Sequence, residues 1–252
     1  MRMTLASALA SVFATSAIAG GYADPPPAAT VMPAPAPSVD WSGGYVGLQF
    51  GALNGDLDLA GENLNNNNTT SASIGVSGHE VGVFAGYNWV GANNLVYGIE
   101  GEYNVSNVDG SHPGVPGPSF GFIRNGIDAD IDRTAALRGR LGYAMDQGLL
   151  YATAGIAWAR VSLDGTPGGG GAGGGAGGGP FNPTETLTGW TIGAGYEHAI
   201  NANWTLRLDY RYSDLDGSFD FLSGGGGGGP DPHRFDLDLQ SHQVRIGAAY
   251  RF

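Results

Sequence analysis

The sequence predicts an all-β fold, an eight-stranded antiparallel up-and-down transmembrane β-barrel. Three observations support this prediction. From Trp41 to Phe252 the apolar residues recur with a period of two, which is typical of strands rather than helices. Short turns alternate with long polar connections, as in barrels of the bacterial outer membrane. One face of each segment is bulky and apolar, whereas the other carries glycine and charge.

Eight segments of the sequence alternate in this way. In the clearest of them, Trp204, Leu206 and Leu208 alternate with Arg207 and Asp209. Branched and aromatic residues are frequent in these segments, and such residues favour the pleated surface of a sheet. The predicted strands are 45–52, 80–89, 95–105, 134–145, 149–163, 189–197, 204–213 and 243–252.

The facing of the fifth predicted strand is left open by its sequence. Leu150, Ile156 and Trp158 make one face the more lipid-like, but the other face carries Tyr151 and Thr153. Because neither face is clearly polar, both orientations are compatible with the pattern.

The connections between the predicted strands form a short set and a long set. In outer-membrane barrels the short turns face the periplasm and the long loops face the exterior. Two long connections contain glycine tracts, which we interpret as flexible loops at 165–180 and 223–230 rather than as nucleotide-binding loops, because neither tract opens a helix. The short turns are expected at 90–94, 146–148 and 201–203, and the long connections at 60–78, 106–127, 165–185 and 217–234.

Side-chain size decides which face of each strand lies inside. The interior of an eight-stranded barrel is only just wide enough for its own side chains. The face with glycine and charge is therefore placed inside and the bulky face against lipid; a soluble barrel with the opposite facing is the alternative. Unpaired charges are costly in such an enclosure, so we expect the acids and bases to pair. The predicted interior network consists of Glu100, Glu102, Arg138, Arg140, Glu197, Arg207, Asp209, Arg211 and Arg245.

The composition excludes several classes of function. The 252 residues include 11 basic residues, all of them Arg, and 23 acidic residues, for a formal net charge of −12. Phosphate backbones are bound by Lys and Arg clusters, so no nucleic-acid partner is expected. A phosphate-binding loop that requires Lys is impossible. The lack of Cys excludes disulfides and thiolate metal sites.

A targeting segment and a linker precede the predicted barrel. Arg2, a short apolar run and the small residues around Ala19 form the pattern of a signal peptide over 1–19, with cleavage after Ala19 or Ala23. Residues 20–40 are rich in Pro and Ala, which is typical of an extended linker. The barrel is predicted over 41–252, and any membrane crossing must be made by strands.

Several ordered motifs resemble one family of membrane proteins. They are WSGGYVG at 41–47, AGYNW at 85–89, GIEGE at 98–102, LRGRLGY at 137–143, GWTIGAGYE at 189–197 and LRLDYRY at 206–212. Together they resemble the Omp25/Omp31-type outer-membrane β-barrel (porin-like) family of alphaproteobacteria. The resemblance implies a small surface protein with roles in envelope integrity, host contact or, in some relatives, hemin binding.

We therefore expect a structural and surface-interaction barrel of the bacterial outer membrane, with an interior closed by the charge network and no enzymatic activity. A small porin-like channel is one alternative, and binding of heme or a host factor by the outer loops is another.

The expected partners are outer-membrane lipid, lipopolysaccharide and the barrel assembly machinery. The predicted assembly signal is the terminal alternation of Ile246, Ala248, Tyr250 and Phe252.

Few residues suggest further chemistry. His79, His112 and His233 lie near long connections and could ligate heme iron, although nothing in their spacing requires it. Ser241 and His242 are strand neighbours on opposite faces and cannot share a proton. No catalytic residue, metal site or cofactor is therefore predicted.

Acidic residues gather near the long connections. We interpret them as a hydrated rim of the barrel, or alternatively as carboxylates that bind Ca²⁺ or Mg²⁺ and so bridge to lipopolysaccharide phosphates. These residues are Asp56, Asp58, Asp128, Asp130, Asp164, Glu185, Asp214, Asp216, Asp236 and Asp238.

Overall fold

The fold is a closed barrel of eight antiparallel strands that follow one another in chain order, which confirms the predicted fold class. The computed structural model describes residues 39–114, 126–165, 181–223 and 231–252. These residues belong to the second of two units of the chain, Met1–Pro35 and Ala36–Phe252. The strands are β1 Gly43–Asn63, β2 Thr69–Val90, β3 Leu95–His112, β4 Ile127–Met145, β5 Gly148–Gly165, β6 Thr184–Ala199, β7 Trp204–Ser223 and β8 Asp231–Arg251.

Three short turns join the strands at one end of the barrel. They follow β2, β4 and β6, where short turns were expected, and the first contains the 3-10 turn Ala92–Asn94. Asn93, Asn94 and Asp146 adopt positive φ angles there, which Asn and Asp tolerate better than most residues. By the rule for outer-membrane barrels this end faces the periplasm, and the opposite end is called the outer end. Among the residues described above, no helix is long and apolar enough to cross a bilayer.

The strands are longer than the sequence pattern suggested. They contain 16 to 22 residues, whereas a tilted strand crosses a bilayer with about 9–11. The predicted long connection at 60–78 is wrong for most of its length. β1 and β2 are paired from the Glu62–Thr69 pair all the way to the periplasmic end, so most of these residues belong to strands. The predicted connections at 106–127 and 217–234 also contain paired strand residues at both of their ends.

The polarity of the two barrel faces reverses along the strands. In β7 Leu206 and Leu208 point outward, whereas Leu215, nearer the outer end, is buried inside. In β8 Ile246 points outward and Leu237 is buried inside. The alternation of side chains is unbroken in both strands, so it is the apolar residues that change from one face to the other. The outer parts of the strands therefore resemble a water-soluble barrel that continues the membrane-spanning part.

In β4 the same reversal depends on a β-bulge. The pairing with β5 shifts by one residue between Ile131 and Arg133, which leaves Asp132 without a register partner. Ile131 is buried above the bulge and Thr134 is buried below it. The extra residue thus turns the odd-numbered apolar side chains inward in the outer part of β4, which is the effect that bulges have on side-chain direction.

The structure also resolves the facing of β5. Leu150 and Ile156 are exposed on the wall, whereas Tyr151 and Thr153 are buried inside. The predicted signal peptide at 1–19, all of the linker except residues 39 and 40, and the glycine tracts between 166–180 and 224–230 lie outside the described residues.

Candidate functional site

The interior of the periplasmic half is organised around two glutamates of β3. Glu102 accepts hydrogen bonds from Arg138 at 2.7 Å and from Arg245 at 2.8 Å, and it forms an ion pair with Arg211. Glu100 accepts hydrogen bonds from Arg138 at 2.5 Å and from Arg207 at 2.7 Å. Each carboxylate therefore faces several guanidinium groups, which compensates the cost of burying it.

Strand register brings the other charges into the same group. Asp209 of β7 is the cross-strand partner of Arg245, whose Nη2 donates to it at 2.6 Å. Arg207 donates to the same carboxylate through Nε at 3.1 Å. Glu197 of β6 lies 2.9 Å from Nη2 of Arg140. Pairs on neighbouring strands and contacts across the lumen thus join β3, β4, β6, β7 and β8 through one polar group.

The structure places all nine predicted network residues inside the barrel, each at most 7% exposed. It adds one that the sequence reasoning missed, Glu80, whose carboxylate lies 3.9 Å from Arg245 and accepts a hydrogen bond from Thr134 at 3.1 Å. The alternation in β2 places Glu80 opposite the lipid-facing Val81 and could have identified it. The group, called the ionic core below, contains five acids and five bases: Glu80, Glu100, Glu102, Glu197, Asp209, Arg138, Arg140, Arg207, Arg211 and Arg245.

Aromatic side chains cover the periplasmic side of the ionic core. The guanidinium of Arg140 lies 3.8 Å from the centre of the Tyr151 ring, and that of Arg207 lies 3.8 Å from the centre of the Phe84 ring. Tyr45 donates a hydrogen bond to Glu100 at 2.9 Å. Rings that stack on guanidinium groups exclude water and add cation–π attraction.

The periplasmic mouth is closed by Trp41, which lies two residues before β1. Trp41 is 2% exposed and packs with Val96, Leu149 and Tyr151. The guanidinium of Arg251 lies 4.7 Å from the centre of its ring. The chain therefore folds back over its own barrel before β1 begins.

The outer half of the interior is apolar. Phe219 and Phe235 stack with ring centres 5.2 Å apart, and Phe181 lies 5.4 Å from Phe235. Only glycine and charged residues were predicted inside the barrel, so this apolar layer differs from the prediction. The group, called the apolar core below, includes Leu53, Leu57, Leu59, Ile74, Val76, Val108, Ile127, Ile131, Val161, Leu163, Phe181, Leu187, Leu215, Phe219, Phe235, Leu237 and Leu239.

The two cores meet with little free space between them. A cavity at this level is bordered by Leu215 and Leu239 on one side and by Arg211 and Gln243 on the other. Its volume is about 10 Å³, whereas one water molecule needs about 10–15 Å³. This cavity therefore holds at most one water molecule.

The outer wall has an apolar belt with aromatic residues near both edges. Trp89, Tyr143 and Trp204 are exposed near the short turns, and Trp190 is exposed towards the outer end. Such girdles mark the two interfaces of a bilayer.

Carboxylates cover the wall beyond the apolar belt. Nine of the ten acids noted in the sequence face outward, whereas Glu185 lies on the inward-facing side of β6. Asp109 also faces outward. Partial burial raises the pKa of Asp130, and the negative charges of Asp109, Asp164 and Asp128 raise it further. Within the described ranges, no three His, Cys, Asp or Glu side chains converge into a group that could hold a metal ion. The group, called the acidic collar below, is Asp56, Asp58, Asp109, Asp128, Asp130, Asp164, Asp214, Asp216, Asp236 and Asp238.

The other predicted candidates are not brought together. His79 lies on the outer wall and stacks on Phe50, whereas His233 is fully buried inside the barrel, so they cannot share a heme. Ser241 is buried and His242 is exposed, on opposite faces as expected. The side chains of the predicted assembly residues all point outward, three of them at the periplasmic end of β8 and the fourth directly after it. They are Ile246, Ala248, Tyr250 and Phe252.

An eight-stranded barrel whose membrane-spanning half has a polar interior, an apolar belt and two aromatic girdles is an integral protein of a bacterial outer membrane. The chain belongs to the family described as outer membrane protein beta-barrel domain, whose model matches residues 5–252. It is 31% identical over 258 residues to the 31 kDa outer-membrane immunogenic protein of Brucella melitensis, covering 100% of both chains. It is 30% identical over 251 residues to the 25 kDa outer-membrane immunogenic protein of Brucella canis, covering 98% of this chain and 96% of the relative.

These relatives confirm the resemblance to the Omp25/Omp31 type and the outer-membrane location. Among solved structures, the outer membrane protein OprG from Pseudomonas aeruginosa superposes with a TM-score of 0.55 at 14% identity, covering 84% of this chain and 97% of that one. At this identity the similarity concerns the fold alone.

Proposed function

We propose that the protein is a closed structural barrel that strengthens the outer membrane and presents its outer end to the surroundings, without conducting solutes and without enzymatic activity. The observation that supports this proposal best is that the described interior is occupied at every level. Trp41 covers the periplasmic mouth, the ionic core fills the membrane-spanning half, and the apolar core fills the outer half.

Each layer opposes conduction for a different physical reason. In the ionic core the charges are bound to one another, and a passing ion would have to break pairs such as that between Arg138 and Glu102. In the apolar core a hydrated ion would lose its water without gaining a polar partner, which is expensive in a low-dielectric medium. Eight strands also leave little lumen beyond their own side chains.

Conductance in planar bilayers tests the closed interior. We expect the purified, refolded protein to insert without stepwise currents under conditions in which an open porin conducts. Sustained single-channel steps that scale with protein concentration would contradict the proposal and favour the small porin-like channel. Heat-modifiable mobility on a gel confirms that the inserted protein is folded.

Loss of the protein in its own bacterium tests the structural role. We expect a deletion strain to take up a hydrophobic fluorescent dye faster and to be more sensitive to detergent, and a chromosomal copy of the intact gene to restore both properties. A deletion strain with unchanged permeability would contradict a role in envelope integrity, whatever the conductance measurement shows.

The assembly machinery is a proposed partner because Ile246, Tyr250 and Phe252 alternate outward at the periplasmic end of β8 and beside it. In a Phe252→Ala variant we expect less folded protein in the outer membrane, because this aromatic side chain is available for recognition, being 79% exposed. Phe50→Ala is the matched control, since Phe50 is also an exposed phenylalanine but lies in β1. Equal amounts of both variants in the membrane would contradict the assignment.

A further inference from the structure

Two arginines face outward side by side where the apolar belt ends. Arg133 of β4 and Arg160 of β5 are direct cross-strand partners. Their side chains are 52% and 46% exposed. Every other arginine on the described strands is buried in the barrel except Arg234, which is exposed near the outer end and donates a hydrogen bond to Asp220 at 3.1 Å. The pair is thus an isolated basic site on an acidic wall.

The neighbours of the pair place it at the boundary of the belt. Val105, the partner of Arg133 on β3, is a 56% exposed apolar residue. Trp158 is the wall residue directly below Arg160 on β5, and Asp164 is the carboxylate further out on the same strand. The two guanidinium groups therefore lie where the hydrocarbon region ends, below the adjoining carboxylates of the acidic collar.

The charges of the pair are only partly compensated within the chain. Like charges that face each other across a sheet destabilise it. The nearest carboxylate, Asp132, lies 3.7 Å from Nε of Arg133 and 4.0 Å from Nε of Arg160, too far for a hydrogen bond to either. Among the described residues, neither guanidinium donates a side-chain hydrogen bond.

The β-bulge explains how Asp132 comes to lie beside the pair. Because Asp132 is the extra residue of β4, Asp132 and Arg133 are neighbours that both have solvent-accessible side chains. Without the bulge, the even-numbered inward alternation of Thr134 and Ala136 would turn Asp132 towards the apolar core. The bulge that reverses the polarity of β4 therefore also keeps Asp132 on the outer wall, beside Arg133, which faces outward through its alternation with Thr134.

We propose that Arg133 and Arg160 form a binding site for the phosphate of a lipid headgroup in the outer leaflet. Guanidinium groups bind phosphate through paired hydrogen bonds, and two of them on one surface match a doubly charged group. The apolar belt immediately below accommodates the acyl chains of the same lipid. This inference deepens the proposed structural role, on which it rests, by naming the lipid group through which the barrel is anchored.

Lipid binding by the full barrel in a phosphate-free maltoside detergent tests the site. The probes are diphosphoryl lipid A, fully dephosphorylated lipid A and inorganic phosphate. For the Arg133→Gln/Arg160→Gln double variant we expect about a tenfold or larger loss of affinity for diphosphoryl lipid A, as for the loss of charged hydrogen bonds. The dephosphorylated lipid should bind the unaltered protein as weakly as the double variant binds lipid A. Arg234→Gln is the matched control and should bind normally.

Two further measurements separate the possible sources of binding. Asp132→Asn removes the competing carboxylate, so we expect it to increase the affinity for diphosphoryl lipid A. Chelation with EDTA should leave binding unchanged, because arginines need no metal; loss of binding in EDTA would overturn the proposal in favour of divalent bridges to the acidic collar. Inorganic phosphate that competes at millimolar concentration would overturn the assignment to a lipid.

Failure of the lipid-binding site can be told apart from failure of the proposed closed structural barrel. A double variant that keeps its heat-modifiable mobility and binds lipid A normally overturns the site but leaves the closed interior and the permeability result intact. Conversely, conductance by the unaltered barrel would contradict the closed interior without affecting lipid binding. The conservative Arg133→Lys/Arg160→Lys variant should recover part of the affinity, since it keeps the charge but loses the paired geometry.

Discussion

The periplasmic and outer halves of this barrel are built from the same strands but solve opposite problems. In the periplasmic half the wall faces hydrocarbon, so the apolar residues are outside and ten charges pair inside. In the outer half the wall faces water, so carboxylates are outside and leucine and phenylalanine fill the interior. The comparison shows that the medium around the wall decides which face of a strand carries the apolar residues.

The two halves also differ in how they respond to the loss of a single side chain. The ionic core depends on pairing, and removal of one charge leaves its partners buried and unpaired. The apolar core depends on packing, and removal of a methyl group leaves a cavity. Mutations matched between the halves therefore test the comparison directly.

The largest effect is expected for Glu102→Gln in the ionic core. The change leaves Arg138, Arg211 and Arg245 without their shared carboxylate, and we expect the free energy of unfolding to fall by about 3–5 kcal/mol. Urea unfolding in lipid vesicles, followed by tryptophan fluorescence, measures it. Asp236→Asn on the acidic collar is the control and should change stability by less than ~0.5 kcal/mol. If the two variants lost the same free energy of unfolding, the buried acids would be no more important for stability than the acids on the outer wall.

The next effect is expected for Leu57→Ala in the apolar core. Leu57 is fully buried, and a cavity at such a position costs about 2–4 kcal/mol. The same urea titration measures it, with Asp58→Asn as the control one residue along β1, where the side chain faces water. If Leu57→Ala were neutral, the outer half would not be packed as a soluble core.

A smaller effect is expected for Gly155→Ala, which adds one methyl group inside β5. Its Cβ would clash with the carbonyl oxygen of Leu137 and lie 2.7 Å from Cα of Arg138, and these backbone atoms cannot move away cheaply. We expect a loss of about 1–3 kcal/mol. Gly101→Ala is the control, because a Cβ there meets nothing within 4 Å, and it should be neutral or slightly stabilising.

The smallest effect is expected for Arg234→Gln at the outer end. Arg234 and Asp220 are 54% and 67% exposed, and exposed pairs contribute about 0–1 kcal/mol. We expect the small loss of stability to disappear in 1 M salt, where the screening length is about 3 Å. A loss comparable to that of Glu102→Gln would show that exposure does not separate the two classes of ion pair.

Much of the periplasmic half was predictable from local alternation. The repeat of Leu206, Leu208 and Tyr210 against Arg207 and Asp209 is sufficient to assign both faces of β7, because the side-chain period of a strand is two. Residue size then decided which face was inside. Glu80 was overlooked although the same alternation places it beside the other charges.

The outer half was missed because its signal was taken for loop sequence. The predicted first strand ends at residue 52, and Asp56 and Asp58 beyond it were assigned to a rim near a long connection, yet they alternate with Leu53, Leu57 and Leu59. The apolar residues change from even to odd positions within β1, and this change marks the point where the strand leaves the membrane. In β4 no such change is visible, because the bulge at Asp132 reverses the faces instead.

The sequence by itself determined the number of strands, the facing of the membrane-spanning residues in every strand except β5, and nine of the ten charges enclosed among them, since each follows from alternation and size along a single strand. Only the tertiary structure decided which charges meet, how far the strands continue and where Arg133 comes to lie beside Arg160. Those properties depend on register between strands and on one inserted residue. Both are set when the barrel closes, and neither can be seen in any single strand.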